Sequence, residues 1–166
     1  LKASVDYGTA GATALTVTNT YEQPKGTATI QVKKVVKGEN APAEEFTFTL
    51  AAEDKAPMPK NATVKVKAGE TKNFGEIEYT KAGTYNYTVK ETKGNTAGMT
   101  YDETSYKIVV KVDQNLKASV DYGTAGATVL TITNSYVDKT VKISKVDATN
   151  QKELEGAHIQ IVDKDG

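Results

Sequence analysis

The sequence predicts an all-β fold, an immunoglobulin-like antiparallel β-sandwich, and three observations lead to this prediction. The 166 residues include 24 Thr and 17 Val, and these β-branched side chains favour extended backbone. Apolar and polar residues alternate over short stretches, which is the pattern of half-buried strands. Turn residues separate these stretches, so that seven or eight strands fall within about 110 residues, as in antiparallel sandwiches.

Each predicted strand is an alternating run bounded by turn residues. Gly38 follows the first run, Pro57 and Pro59 lie between the second and the third, and Gly69 follows the third. Gly83 starts the fifth run directly after a turn. The predicted strands cover residues 27–36, 45–52, 62–68, 71–77, 83–91, 105–113, 116–122 and 127–134.

The chain contains an internal repeat. Residues 1–21 (LKASVDYGTAGATALTVTNTY) and residues 116–136 (LKASVDYGTAGATVLTITNSY) differ at only three positions. A near-copy at an offset of 115 residues predicts tandem domains of that length, and a chain cut from a longer protein. Residues 1–22 are then the last strands of an incomplete preceding repeat. Residues 23–136 form a complete sandwich, and residues 137–166 form the first hairpin of an incomplete following β domain.

Three polar residues continue rows of core-facing side chains. Lys34 ends such a row in the first predicted strand, Glu91 in the fifth and Asn134 in the last. Each stands two positions after a core-facing Val or Ile, so it shares the face of that residue. One interpretation is that each side chain lies just past its strand and turns into water. The other is that the three residues meet in the core.

An amine, a carboxyl group and a carboxamide that meet in a core form a reactive set. Desolvation lowers the pKa of a lysine and raises the pKa of a carboxylic acid. A neutral amine is a nucleophile. A neutral carboxylic acid can donate to the Asn carbonyl and then pass its proton to the departing nitrogen. The predicted product is an amide between Lys34 and Asn134, formed with Glu91 as proton shuttle and with release of ammonia.

Residues 23–136 resemble the isopeptide-linkage domain of Gram-positive pilins and of tandem-repeat surface adhesins. The resemblance implies that Lys34 is the reactive lysine, Glu91 the catalytic acid and Asn134 the partner. Parity along the strands and the resemblance therefore select the same three residues. The motifs that carry it are IQVKKVVKG (30–38), EEFTFTL (44–50), AGTYNYTVKE (82–91), YDETSYKIVVKV (101–112) and LTITNSY (130–136).

Both ends of the chain carry residues that match the cross-links of neighbouring domains. Asn19 corresponds to Asn134 and would be the cross-link residue of the preceding repeat. Residues 137–166 resemble the opening of a collagen-adhesin B-type domain, which implies that Lys145 is the reactive lysine of the next domain. We expect neither residue to form its own domain's bond in this chain, because the matching partners are absent from the sequence.

The composition excludes several classes of function. Lys and Arg together number 21 and Asp and Glu together number 21, so we expect no nucleic-acid binding. The chain has no Cys and a single His, so we expect no disulfide, thiol chemistry, metal site or cofactor. No apolar run reaches the roughly 18 residues of a membrane span. No triad or cofactor motif indicates an enzyme, beyond the single-turnover internal reaction.

The predicted function is a structural stalk or shaft module of a Gram-positive adhesin or pilus. An autocatalytic Lys34–Asn134 bond would close a loop of ~100 residues and stabilise the domain by up to roughly 4.7 kcal/mol. We expect an extracellular, cell-wall-anchored protein whose partners are neighbouring repeats of the same chain, with host ligands bound through other domains. The alternative is an adhesin repeat that itself binds a host glycan or matrix protein.

Overall fold

Nine β-strands form in the computed structural model, which describes residues 4–6, 8–139, 143–153, 155–156 and 158–160. Within these ranges there is no helix, and the predicted all-β class is confirmed. The strands are β1 (Gly26–Lys37), β2 (Glu45–Ala52), β3 (Thr63–Lys67), β4 (Thr71–Tyr79), β5 (Gly83–Glu91), β6 (Met99–Thr100), β7 (Ser105–Val112), β8 (Ala118–Asp121) and β9 (Leu130–Tyr136).

The strands form two sheets that pack as a sandwich. One sheet has the order β4-β1-β9-β6, and the other has the order β3-β2-β5-β7-β8. Among the described pairings all are antiparallel except β1 with β9, which is parallel. The predicted antiparallel sandwich is confirmed, and the β1–β9 pair is its one parallel pairing among the described strands. The first and last strands thus lie side by side and run in the same direction.

The core fills the space between the sheets with side chains that come mostly from alternate positions of seven strands, β1 to β5, β7 and β9. Burying a large apolar side chain stabilises the fold by about 1.5–3 kcal/mol, so the core holds the two sheets together. The first sheet contributes Ile30, Val32, Phe74, Ile77, Tyr79, Leu130 and Ile132. The second contributes Phe46, Phe48, Leu50, Val66, Tyr87, Val89, Ile108, Val110 and Val112.

All eight predicted strands of the central region form, and their ends differ from the prediction by a few residues. The last strand begins at Leu130 rather than at residue 127, because the turn at Gly123 and Gly126 extends further than the alternation suggests. The additional strand β6 has two residues, which is too short for an alternating pattern. It pairs with the end of β9 and so extends the first sheet.

A close approach of backbone fixes the ends of β1 and β9 together. Gly38 follows β1 with φ of +121°, in a region that L side chains rarely adopt. A Cβ atom at Gly38 would lie 2.0 Å from the Tyr136 carbonyl oxygen, so a side chain at this position would force the strands apart. Glycine at position 38 therefore allows the ends of β1 and β9 to lie side by side.

The two ends of the chain contrast with this core. The described residues before β1, 4–6 and 8–25, lie in no strand. In the tail a single antiparallel bridge joins Val146 to Glu153. Residues 158–160 are not in a strand, so the predicted hairpin does not form over this part of the tail. An isolated hairpin is only marginally stable without a third strand. Residues 140–142, 154, 157 and 161–166 of the predicted hairpin lie outside the described residues.

Candidate functional site

Lys34 and Asn134 lie on neighbouring parallel strands of the first sheet. In the β1–β9 register Lys34 is opposite Ile132, and Asn134 is opposite Val36. Both side chains therefore point into the core with a two-residue offset, because residues two apart share a face. The backbone of Lys34 is held by the β3–β4 turn: its N–H donates to Glu70 at 3.1 Å, and its carbonyl accepts from Gly69 at 2.8 Å.

Glu91 reaches the same place from the opposite sheet. It is the last residue of β5 and pairs with Phe48 of β2. The Lys34 Nζ atom donates to Glu91 Oε2 at 2.7 Å, and Asn134 Nδ2 donates to Glu91 Oε1 at 2.7 Å. One carboxyl group therefore contacts the amine and the carboxamide at once, and this contact bridges the two sheets of the sandwich.

These three residues are the buried polar residues of the described chain. Their exposed fractions are 0% for Lys34, 3% for Glu91 and 1% for Asn134. Such groups are costly to bury unless every polar atom has a partner. Within the described residues no buried side-chain nitrogen or oxygen lacks a hydrogen bond, so the site is satisfied internally. The interpretation that each of the three turns into water does not hold.

The Lys34 amine is fully buried and lies beside two aromatic rings. Its Nζ atom lies 4.6 Å from the centre of the Phe46 ring and 5.8 Å from that of Phe48. Desolvation by this burial lowers the pKa of Lys34 from its ordinary value of 10.5, although the hydrogen bond to Glu91 acts in the opposite direction. A lowered pKa favours the neutral amine, which is the nucleophilic form.

A backbone donor contacts the Asn134 carbonyl, and sequence reasoning missed it. The Asp102 N–H donates to Asn134 Oδ1 at 2.9 Å. We had expected the Glu91 carboxyl group to donate to this oxygen, but Glu91 contacts the amide nitrogen of Asn134 instead. The carboxamide is thus oriented from both ends, with its oxygen on Asp102 and its nitrogen on Glu91. Asp102 lies in a loop without strand periodicity, so no sequence pattern marked it.

The position of the Asp102 N–H is itself fixed by hydrogen bonds. The Asp102 carboxylate accepts from the Tyr106 hydroxyl at 2.6 Å and from the Thr104 N–H at 2.9 Å. Burial raises the pKa of this carboxyl group, but the hydrogen bonds from Tyr106 and Thr104 outweigh it and lower the pKa overall. The Asp102 carboxylate, which accepts two hydrogen bonds, therefore holds the Asp102 backbone N–H against Asn134.

A second polar group covers the site from the loop side. The Tyr101 hydroxyl donates to Glu44 Oε1 at 3.1 Å, and the Thr96 hydroxyl donates to Glu44 Oε2 at 2.9 Å. The Tyr101 ring packs against Phe46, with 6.2 Å between the ring centres. Because Phe46 also lines the amine, this contact closes the apolar pocket around Lys34 from outside.

The other two predicted cross-link residues lie away from this cluster. Asn19 and Lys145 are both exposed, and each lies in a segment outside the sandwich. The described residues contain no group of three or more possible metal ligands, and none of their elements is a helix long and apolar enough to cross a membrane.

Comparisons with known proteins agree with this class of fold, a β-sandwich module with a bridge between its sheets. The family described as FctA, Spy0128-like isopeptide containing domain, matches residues 30–137. The chain belongs to this family, and the resemblance of residues 23–136 to the pilin isopeptide-linkage domain is confirmed. None of the curated proteins matches the chain.

A solved structure of a streptococcal major pilin shares the fold. The major pilin protein T-13 from Streptococcus pyogenes is 21% identical with a TM-score of 0.53, and the match covers 76% of this chain. This chain spans 60% of the length of that pilin. A crystal structure of the major pilin from Streptococcus pyogenes is 22% identical with a TM-score of 0.43, and the match covers 70% of this chain and 51% of the pilin.

Proposed function

We propose that Lys34 and Asn134 condense to an isopeptide bond and that this bond makes the domain a load-bearing stalk module. The observation that carries the proposal is the pair of 2.7 Å contacts through which the Glu91 carboxyl group touches both reactants. An amine and an amide held on rigid neighbouring strands react as if at high local concentration, because their orientation is already set. No external enzyme or cofactor is needed for such a reaction.

The reaction balances with the residues present. A proton moves from the Lys34 ammonium to Glu91 within their hydrogen bond, and the neutral amine attacks the Asn134 side-chain carbonyl carbon. The oxygen of the tetrahedral intermediate gains charge and is stabilised by the Asp102 N–H. Glu91 gives its proton to the Asn134 nitrogen, the carbon–nitrogen bond breaks, and the attacking nitrogen loses its second proton. That second proton passes through Glu91 to the departing ammonia, so the products are one amide and one ammonium ion, and Glu91 ends as the carboxylate that it was at the start.

The strand arrangement supports a mechanical role. Force applied to the chain enters at the start of β1 and leaves at the end of β9. Because these strands are parallel neighbours, the load crosses directly from one to the other in shear. A covalent bond between Lys34 and Asn134 would carry that load, and the strands β2 to β8 would be bypassed. The 101 residues from 34 to 134 could then not be drawn out.

The proposed setting is the surface of a Gram-positive bacterium. It is supported by membership of the isopeptide domain family and by the fold shared with a streptococcal major pilin. The module would be one unit of an adhesin stalk or pilus shaft attached to the cell wall. Its direct partners would be the neighbouring domains of the same chain or other subunits of the shaft.

An intact mass of the purified chain tests the proposal. We expect the folded protein to be lighter than its sequence mass by one ammonia, and a digest to contain a branched peptide joining Lys34 to Asn134. The Glu91→Gln variant should fold and keep its full mass, because glutamine cannot shuttle the proton. A folded wild-type protein of unmodified mass would refute the proposed bond.

A further inference from the structure

The last strand of the sandwich has a second copy in the chain. We define residues 15–21 (LTVTNTY) as the duplicate strand, because they match β9 (LTITNSY) at all but two positions. The three residues that β9 buries are Leu130, Ile132 and Asn134. Their counterparts in the duplicate strand are Leu15, Val17 and Asn19. The duplicate strand therefore has the inward-facing pattern of β9, with one methylene fewer at the central position.

In this chain the residues of the duplicate strand make no strand pairing. Residues 15–21 are not assigned to a β-strand, and the exposed fractions of the Leu15 and Val17 side chains are 68% and 75%. The turn before it already has the conformation of the turn before β9. Gly8 N–H donates to Asp6 Oδ1 at 2.8 Å, as Gly123 N–H donates to Asp121 Oδ1 at 2.8 Å.

The same match extends further along the turn. Ala12 N–H donates to the Thr9 carbonyl at 3.0 Å, and Ala127 N–H donates to the Thr124 carbonyl at 3.0 Å. The glycines at positions 8 and 11 have φ of +76° and +79°, close to +77° and +73° at positions 123 and 126. The backbone that leads into the duplicate strand is thus preset as in the folded domain.

The parallel pairing prevents the duplicate strand from filling the β9 position of its own domain. In β9 the residue beside Lys37 is Ser135, whose counterpart is Thr20. Gly26, the first residue of β1, precedes Lys37 by eleven residues, and a strand of that length spans about 36 Å at ~3.3 Å per residue. The six steps from Thr20 to Gly26 span at most about 22 Å. A second copy of the chain has no such constraint.

We propose that the duplicate strand of one copy takes the β9 position in a second copy, and that Asn19 then forms an isopeptide bond with Lys34 of that copy. The proposal rests on the chemistry proposed above for Lys34 and Asn134. The Lys34 nitrogen bonds to the Asn19 side-chain carbonyl carbon, and the carbon–nitrogen bond to the amide nitrogen breaks. That nitrogen leaves as ammonia, so the product is a covalent link between chains.

Exchange happens while the β9 position is open, that is, during folding. The chain's own β9 is tethered and competes at high effective concentration, so in wild type it takes the position first. A strand captured from another copy becomes permanent once the amide forms. The yield of linked chains should therefore rise with protein concentration, whereas the internal bond forms at any concentration.

Refolding of the Asn134→Ala variant tests this link. Its own β9 offers no carboxamide, so Lys34 can react only with Asn19 of another copy. On refolding from denaturant at increasing concentration, we expect a covalent species with the mass of two chains less one ammonia. A digest should contain a branched peptide joining Lys34 to Asn19. The matched controls Asn19→Ala/Asn134→Ala and Lys34→Ala/Asn134→Ala should stay as single chains.

The outcomes separate this link from the internal bond. If folded Asn134→Ala stays a single chain at every concentration while wild type loses one ammonia, the interchain link is wrong and the internal bond stands. If wild type keeps its full mass, both fail. Should Asn134→Ala not fold, concentrated wild type is refolded and its digest searched for the Lys34–Asn19 peptide, whose absence would refute the interchain link.

Discussion

Residues 4–21 and residues 119–136 have almost the same sequence, but their described parts have different structures. Their turns are alike, with the same hydrogen bonds and the same left-handed glycines. Their strands are not: β8 pairs with β7, and β9 pairs with β1 and buries Leu130 and Ile132, whereas the described residues of the first segment form no strand. A turn is specified by local hydrogen bonds, but a strand needs a neighbour.

The same difference separates two chemically identical asparagines. Asn134 is 1% exposed and touches Glu91 and Asp102, while Asn19 is exposed to solvent. An amide in water is inert to lysine on any biological timescale, because the amine is protonated and the leaving nitrogen has no proton donor. Any reactivity of Asn134 must therefore come from its neighbours and its burial.

Removing the bond should produce the largest effect. Lys34→Ala and Asn134→Ala each remove one reactant, and both should lower the thermal midpoint because the unfolded chain regains the freedom of a loop of ~100 residues, worth up to about 4.7 kcal/mol. Pulled from its ends, each variant should release the 101 enclosed residues, at about 3.3–3.6 Å each. Single-molecule pulling and calorimetry measure the two effects.

The two variants control for each other, since they leave different cavities and lose the same bond. Asn19 cannot replace Asn134 within one chain, so Asn134→Ala should be as extensible as Lys34→Ala. A wild type as extensible as both variants would contradict the load-bearing role, even if the mass shows the bond.

The backbone donor of Asp102 should have the next largest effect. Asp102→Pro removes the N–H that contacts the Asn134 oxygen, and loss of one such donor slows comparable reactions by about 10²–10³. Asp102→Ala keeps the N–H and loses only the carboxylate, so it is the matched control. The rate of ammonia loss after refolding, followed by mass, should fall much further in Asp102→Pro than in Asp102→Ala.

If ammonia loss were slowed equally in Asp102→Pro and Asp102→Ala relative to wild type, the loss of the carboxylate, which both variants share, would be the cause, and the N–H would not matter. In that case Tyr106→Phe, which frees the Asp102 side chain from one hydrogen bond, should slow the reaction as Asp102→Ala does.

The three buried polar residues could be predicted from the sequence, because every second side chain of a strand lies on the same face. Lys34, Glu91 and Asn134 each share the face of a core residue, and this can be counted without a structure. Sequence reasoning could not find the parallel pairing of β1 and β9, because alternation carries no information on strand direction. Nor could it find Asp102, whose contribution is a backbone N–H in an irregular loop. Contacts made by backbone in loops depend on the whole fold and leave no mark in side-chain pattern.

The pH dependence of a variant without the carboxyl group tests the environment of Lys34. Burial lowers the pKa of this amine below 10.5, so between the lowered value and 10.5 the unfolded chain binds more protons than the folded one. Stability should then rise with pH through that window and be lost as pH falls. In Glu91→Gln the opposing hydrogen bond is gone, and the slope should approach about 1.4 kcal/mol per pH unit.

Urea midpoints of Glu91→Gln at several pH values between 7 and 10 measure this slope, with Lys34→Met/Glu91→Gln as the control that has no amine. The difference between the two variants isolates Lys34, since every other titrating group is shared. A pH profile that is the same in both would show that the Lys34 amine is solvated, contrary to its burial.

The smallest expected effect is at Asn19. Asn19→Ala alters an exposed residue outside the sandwich, and such substitutions usually change stability by less than about 0.5 kcal/mol. Mass, thermal midpoint and extension under force should all match those of wild type in dilute protein. The variant should differ from wild type only in losing interchain links at high concentration. If Asn19→Ala lowered the thermal midpoint as Asn134→Ala does, the first segment would be part of the folded domain, and the contrast between the two asparagines would not hold.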